Sequence, residues 1–395
     1  MRVLLLSAYD ADSHRSWWKG LSNHFSQWEW TVLTLPPRYF SWRIRGNSLT
    51  WAFGHREILA SDYDLVITTS MTDLSSLRGF IPSLATIPTL VYFHENQFDY
   101  PSSERARDSV EPQILNLYTA LCADHVLFNS RYNRDSFLAG VEGLLKRLPD
   151  QIPEGVVDQL RERSSVVPVP LADACYELPE VALHDQSVLW EDSDSINCTS
   201  LDSVETVTKR DTNETPIRLL WAARWEYDKG PDLLLAILTE LRARDVNFKL
   251  CLLGQKFRQS PKTFSTIEQN FGQQLVQFGY EPSAERYHQW LASADVVLST
   301  ALHEFQGLAV LEAMAAGCIP VLPNRLAYPE LAESQFLFEG QSQSVCIQAA
   351  SAVDLIQALT QTRPTVAVPD LRWSTLATDY QRCIESVIAS AQARL

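Results

Sequence analysis

Ile217-Arg218-Leu219-Leu220-Trp221-Ala222-Ala223-Arg224-Trp225-Glu226-Tyr227-Asp228-Lys229-Gly230-Pro231 passes from a mostly apolar run into a charged loop, and then to a proline that can open a helix. A β-strand covered on both faces reads as such a run. Similar runs follow at Phe248–Leu253, Val276–Phe278, Val296–Leu298 and Ile319–Leu322, among helical patterns at Pro231–Arg244, Ala284–Ser293 and Leu308–Ala316. Others precede it at Val3–Leu6, Thr31–Leu35, Leu65–Thr69, Leu90–Phe93, Val126–Phe128 and Val166–Val169. Strands alternating with helices imply an α/β fold with parallel, doubly wound sheets, and 395 residues suit two such domains.

The expected layout is a Rossmann-like domain over residues 1–175, a flexible linker over 176–215, a second Rossmann-like domain over 216–365 and a C-terminal helix over 366–395. Asp185 to Pro216 is rich in acidic residues, Ser and Thr and has no periodicity, as a solvated loop would be. The last segment spaces Leu371, Trp373, Leu376, Tyr380, Cys383 and Val387 along one helical face, which suits a helix packing across the domain boundary.

No stretch approaches the roughly 18 apolar residues of a membrane span. Met1 to Ser7 is followed at once by Asp10 and Asp12, so it reads as a first buried strand rather than a signal peptide. The expectation is a cytoplasmic protein with no membrane partner. Seven cysteines, an odd number without a CxxC, argue against a disulfide framework and a zinc ribbon. The net charge of −15 means that nucleic acid would need a local basic patch. Arg38, Arg43, Arg45, Arg56, Arg105, Arg107, Arg131 and Arg134, with Tyr39 and Trp42 among them, could form one. The alternative is ordinary surface charge.

Ligands of open parallel sheets bind beyond the carboxyl ends of the strands. Arg224 and Lys229 lie there on a loop leading into a helix, where a guanidinium fork and an ammonium make an anion site. Taken alone they could equally be a salt-bridged surface loop. After Val296–Leu298 come Glu304, at the mouth, and Glu312, two turns into a helix. Glu304 could hold sugar hydroxyls, and Glu312 the hydroxyls of a ribose. The amides of Phe305, Gln306, Gly307 and Leu308 are expected to be unpaired donors aimed at an anion. These cations and amides could replace the metal that a DxD motif would hold. Asp62-Tyr63-Asp64 precedes its strand, and no further ligands cluster with Asp10-Ala11-Asp12, so no metal is expected. His94-Glu95-Asn96-Gln97 follows a buried strand directly, which suits a ligand site, although His94 alone could be a satisfied core histidine. The first loop lacks GxGxxG, against a nicotinamide dehydrogenase.

With Arg224, Lys229, the Glu304 and Glu312 pair and Leu311-Glu312-Ala313-Met314-Ala315-Ala316-Gly317, the second half resembles the retaining family 4 glycosyltransferases of GT-B fold. Their two Rossmann-like domains face a cleft. Ser13-His14-Arg15, Tyr92-Phe93-His94-Glu95-Asn96-Gln97, Phe128-Asn129-Ser130, Arg224 to Lys229, His303-Glu304-Phe305 and Tyr328-Pro329-Glu330 extend a narrower resemblance over nearly the whole chain. It is to the glycosyltransferase-like proteins that include the tRNA-queuosine α-mannosyltransferases. The resemblance implies transfer of mannose from GDP-mannose to queuosine in tRNA, with retention and without a metal. It implies that Arg224 and Lys229 bind the diphosphate, Glu312 the ribose and Glu304 the sugar, with His94 at the reacting face. Ser13, His14, Glu95, Asn96 and Gln97 become acceptor-side residues. Two departures from the family are the glycine-free loop Tyr9 to His14, and Phe305-Gln306-Gly307 in place of Gly-Phe-Gly. The competing expectations are a family 4 enzyme acting on another small or saccharide acceptor, and a non-catalytic nucleotide-sugar-binding module.

Overall fold

The computed structural model describes residues 1–99, 109–147, 151–177, 188–190, 215–257 and 260–392. Arg105, Arg107 and most of the acidic stretch from Asp185 to Pro216 lie outside them. The chain divides into two units, Met1–Leu171 with Asp370–Leu395, and Ala172–Pro369.

The first unit is built on β1 (Arg2–Ser7), β2 (Glu29–Thr34), β3 (Leu65–Thr69), β4 (Thr89–Phe93), β5 (His125–Phe128) and β6 (Ser164–Val166), in the order β2-β1-β3-β4-β5-β6. Every pairing is parallel. All residues of β3 and β4 are buried, which is why they read as unbroken runs rather than alternating ones. The last strand comes earlier than its Val166–Val169 expectation. Past Val166 the chain leaves the ladder with one amide bond, from Val167 to Phe128 O at 2.9 Å. Helix Trp373–Gln392 belongs to this unit and buries Leu376, Tyr380 and Val387 of its expected face. Its Tyr380 hydroxyl donates to Pro168 O at 2.9 Å and accepts from the Trp17 indole at 3.0 Å.

The second unit holds β7 (Ile217–Ala222), β8 (Phe248–Leu253), β9 (Leu275–Gly279), β10 (Val296–Leu298), β11 (Ile319–Pro323) and β12 (Leu337–Phe338). Their order is β12-β11-β10-β7-β8-β9, again all parallel. Helix Pro231–Ala243 buries Leu233, Leu234, Ile237, Leu238 and Leu241, an i, i+3/i+4 stripe. One part of the acidic stretch differs from the loop expected there. Val188–Trp190 forms a 3-10 turn whose buried Trp190 donates to Ser293 Oγ at 2.9 Å and meets the Trp290 ring edge-on.

The architecture is therefore α/β, with two doubly wound parallel sheets of the GT-B kind. Strand order reverses between β1 and β3 in one sheet and between β7 and β10 in the other. Such reversals open the crevice in which doubly wound sheets take their ligands.

Candidate functional site

In the second unit the loops that leave β7 and β10, on either side of the reversal, are tied together. Gly230 permits the join: its φ is +63°, and a Cβ there would stand 2.0 Å from Thr300 O. Thr300 Oγ1 accepts from the Trp221 indole at 3.0 Å and donates to Lys229 O at 2.8 Å. The amides of Leu302 and His303 donate to Asp228 O at 2.8 and 3.1 Å. Lys229 Nζ crosses to His303 O at 3.0 Å and Glu304 Oε2 at 3.1 Å, and sits 3.3 Å from Asp228 Oδ2. Arg224 is half-exposed and pairs with Glu226 at 2.6 Å and Asp228 at 3.9 Å. Asp228 thus lies between the two expected cations.

Burial works to lower the Lys229 pKa, but the Glu304 and Asp228 carboxylates outweigh it and hold the ammonium above its ordinary value. Burial likewise works to raise the Glu304 pKa. The Lys229 ammonium and the Gly307 and Gln306 amides outweigh that and hold it below the usual carboxylate range. Both groups are charged at neutral pH.

Glu304 corrects the expectation of unpaired helix amides. Its Oε1 accepts from the backbone N–H groups of Phe305, Gln306 and Gly307 at 3.1, 3.4 and 3.0 Å. The start of helix Leu308–Ala315 already holds an anion, and that anion is the glutamate expected at the mouth. The Phe305 and Gln306 side chains are buried and Leu308 is half-buried, so this loop presents mainly backbone. Glu312, in the same helix, accepts from the Tyr287 hydroxyl at 2.8 Å. Burial raises its pKa, and that hydrogen bond opposes the rise. A small recess lies here, lined among others by Lys229, Glu304, Gly307, Ser299 and Tyr328. Ser299 and Tyr328, hydroxyl to hydroxyl at 2.5 Å, join the site without having been singled out for a role.

In the first unit the structure brings His14, His94 and Glu95 together. His94 follows β4, and His14 stands on helix Asp12–His24 after β1. Their ring centroids are 4.0 Å apart, and His14 Nε2 is 3.5 Å from Glu95 Oε1. Both imidazoles are buried, with Trp17 and Tyr92 packed edge-on against His94. Both ring nitrogens of His14 and Nε2 of His94 lack a hydrogen-bond partner among the described residues. Burial, aided by His14, pushes the His94 pKa well below its ordinary value, so its ring is neutral at physiological pH. Ser13 is half-buried beside them in sequence.

Asn96 departs from its expected role. It is fully buried, and its amide nitrogen donates to Asn133 O, Asn133 Oδ1 and Ser136 Oγ at 3.1, 2.9 and 2.9 Å. Its oxygen accepts from the amides of Phe98 and Asp99. Asn96 shapes the loop and has little left for a ligand. Gln97 is half-buried, with its backbone amide on Asn116 Oδ1 at 2.8 Å. Asn129 holds His94 O at 2.8 Å, and Asn133 holds Phe93 O at 3.0 Å and Asn129 Oδ1 at 2.8 Å. Asn129 belongs to the Phe128-Asn129-Ser130 motif, whereas Asn133, four residues on, carries no signal of its own in the sequence.

The Asp10-Ala11-Asp12 carboxylates make contacts within the protein, Asp10 buried and Asp12 exposed. Arg15 reaches Asp10 at 3.3 Å and Asp12 at 3.1 Å, and the Trp18 indole donates to Asp10 at 3.0 Å. The expected arginine face is narrower than its sequence suggests. Arg43 is buried and donates to Pro36 O at 3.3 Å; Arg45 pairs with Glu111 at 2.9 Å and Asp73 at 3.5 Å; Arg134 pairs with Asp135. Among the described residues no helix is long and apolar enough to cross a membrane.

Comparison with known proteins adds to this geometry. The family described as tRNA-queuosine alpha-mannosyltransferase N-terminal matches residues 2–171, and the one described as glycosyl transferases group 1 matches residues 204–363. A tRNA-queuosine alpha-mannosyltransferase of Drosophila melanogaster is 31% identical over 338 residues, 85% of this chain and 83% of its own length. A GDP-mannose:cellobiosyl-diphosphopolyprenol alpha-mannosyltransferase of Xanthomonas oryzae is 29% identical over 150 residues, 37% of this chain and 38% of its own. Among solved structures, Anabaena HepE in complex with UDP has a TM-score of 0.62 at 14% identity, covering 98% of this chain and 100% of that one. Sucrose-phosphate synthase from Thermosynechococcus elongatus reaches 0.64 at 14% identity, covering 99% and 100%. These two likenesses concern the fold. The chain is a glycosyltransferase and belongs to the tRNA-queuosine alpha-mannosyltransferase family.

Proposed function

We propose that this protein is a cytoplasmic enzyme that transfers mannose from GDP-mannose to queuosine in tRNA, with retention and without a metal. The observation that carries the transfer chemistry is the Lys229, Asp228 and Glu304 cluster at the β7/β10 reversal. The family match supports the choice of acceptor, and the Xanthomonas relative supports the choice of donor.

In this reading Lys229 and Arg224 neutralise the leaving diphosphate. Glu304 gives up the three amides it caps to take hydroxyls of the transferred sugar, and those amides then face the phosphates. Glu312 takes the ribose hydroxyls in place of Tyr287. The acceptor hydroxyl attacks on the face from which the diphosphate leaves, and a phosphate oxygen receives its proton, so no protein nucleophile is needed. Positioning and preorganised charge lower the barrier. In the first unit the neutral His94 with His14 and Glu95 offers donors and acceptors to the hydroxylated reactants.

Turnover is expected to persist in EDTA. Loss of turnover that magnesium restores would contradict the assignment of Arg224 and Lys229. The two glutamates are expected to separate kinetically. Glu312→Gln weakens GDP binding by about tenfold, the share of one charged hydrogen bond. Glu304→Gln chiefly lowers kcat, because the sugar's charge develops only as its bond breaks. Calorimetry with GDP beside steady-state kinetics reads the split, and an equal loss of GDP affinity in both variants would refute it. Nucleoside mass spectrometry of tRNA tests the function itself. Cells lacking the gene are expected to carry queuosine without its mannose, and unchanged mannosyl-queuosine would overturn the reading.

A further inference from the structure

Helix Phe40–Gly54 in the first unit has two apolar faces. Ile44, Trp51 and Ala52 are buried in the core, whereas Tyr39, Trp42, Leu49 and Phe53 are 73%, 57%, 40% and 74% exposed. At 100° per residue Trp42, Leu49 and Phe53 fall on one side of the helix, spaced as i, i+7 and i+11, and Tyr39 directly precedes the helix in a left-handed conformation. Exposed apolar stripes of this kind mark contact surfaces.

Three observations say what kind of contact. The first is charge: from Trp30 to Arg56 the chain has no aspartate or glutamate but carries Arg38, Arg43, Arg45 and Arg56, in a protein of net charge −15. With Arg43 buried and Arg45 paired, the exposed Arg38 and Arg56 remain at the two ends of the stripe. The second is ring presentation. A Cβ at Gly46 would come within 2.3 Å of the Trp42 indole, so that ring lies along the helix over a residue with no side chain. The Arg38 guanidinium sits 5.6 Å from the Tyr39 ring centroid, and Phe53 meets Phe80 edge-on at 6.0 Å. The third is place. The adjoining Phe40 packs edge-on against Tyr9, two residues past the end of β1 at the strand reversal.

Exposed aromatic rings between arginines, with no carboxylate in the segment, suit the faces of unpaired bases on a phosphate backbone. We propose that this stripe is a stacking platform for single-stranded bases of the acceptor RNA, with Trp42 and Phe53 as the stacking residues and Arg38 and Arg56 as phosphate contacts. The inference rests on the proposed tRNA acceptor and adds to it where the loop is held.

The test uses the full chain with an anticodon stem-loop RNA, and measures affinity by fluorescence anisotropy at several salt concentrations. Trp42→Ala and Phe53→Ala are each expected to weaken RNA binding by about tenfold, the effect of losing one base stack, while Trp42→Phe restores most of it. Arg56→Ala is expected to reduce the slope of log affinity against log salt by about one. GDP affinity and melting temperature should stay at wild-type values in all four. Unchanged RNA affinity in both alanine variants would overturn the platform, yet leave the acceptor reading intact if tRNA were still mannosylated. Wild-type protein that neither binds nor mannosylates RNA would overturn both. Self-association abolished by Trp42→Ala, with RNA affinity unaltered, would assign the stripe to a second copy of the chain and also overturn the platform.

Discussion

Lys229→Ala is expected to remove about 2–4 kcal/mol of transition-state stabilisation, as loss of a preorganised group facing developing charge does. The same change has a second consequence. Lys229 is the ammonium 3.1 Å from Glu304 and 3.3 Å from Asp228, so its removal leaves two partly or fully buried carboxylates without that partner. Breaking such a pair from one side costs about 3–5 kcal/mol of stability. The melting temperature should therefore fall together with kcat/KM. The double variant Lys229→Ala/Glu304→Gln separates the effects, because it removes one of the stranded charges. Its melting temperature is expected to recover in large part, and its turnover is not. A folded Lys229→Ala enzyme with near-normal kcat/KM would remove Lys229 from the mechanism.

Gly230→Ala is expected to be strongly damaging to the second unit. The residue sits at φ +63°, and the new Cβ would stand 2.0 Å from Thr300 O, a backbone atom that cannot swing aside. Strain and displacement together should cost on the order of 3 kcal/mol. The displacement falls on the Lys229 O to Thr300 hydrogen bond, and so on the distance from Lys229 to Glu304. Gly155→Ala is the matched control, with φ +77° and nothing within 4 Å of the added Cβ. It should lose only the left-handed backbone term of about 1 kcal/mol and leave turnover unchanged. Calorimetric melting of both variants, with activity measured beside it, tests the join between the loops. Equal losses in the two would contradict it.

What the sequence made legible followed from burial. Strands β3 and β4 are covered on both faces and therefore spell apolar or β-branched runs. The two-residue β12 leaves too short a pattern to notice. Loop side chains were harder, because no periodicity says which way they turn. His94, Glu95, Asn96 and Gln97 all looked presented to a ligand, yet Asn96 faces inward to satisfy the backbone of its own loop. Arg43 read as surface charge and is buried, with its guanidinium on Pro36 O. Glu304 was expected to reach outward, but the amides behind it were the nearest donors and it folded back on them. Trp190 was hidden by its acidic neighbours, although a lone tryptophan there was the cue to an anchor.

The most direct measurement mixes purified protein with radiolabelled GDP-mannose and tRNA that either contains or lacks queuosine. The account predicts label on the queuosine-containing tRNA alone, at a rate that EDTA leaves unchanged and Lys229→Ala lowers by about 30- to 1,000-fold. Equal labelling of both tRNAs, or labelling of neither while the protein still hydrolyses GDP-mannose, would contradict it.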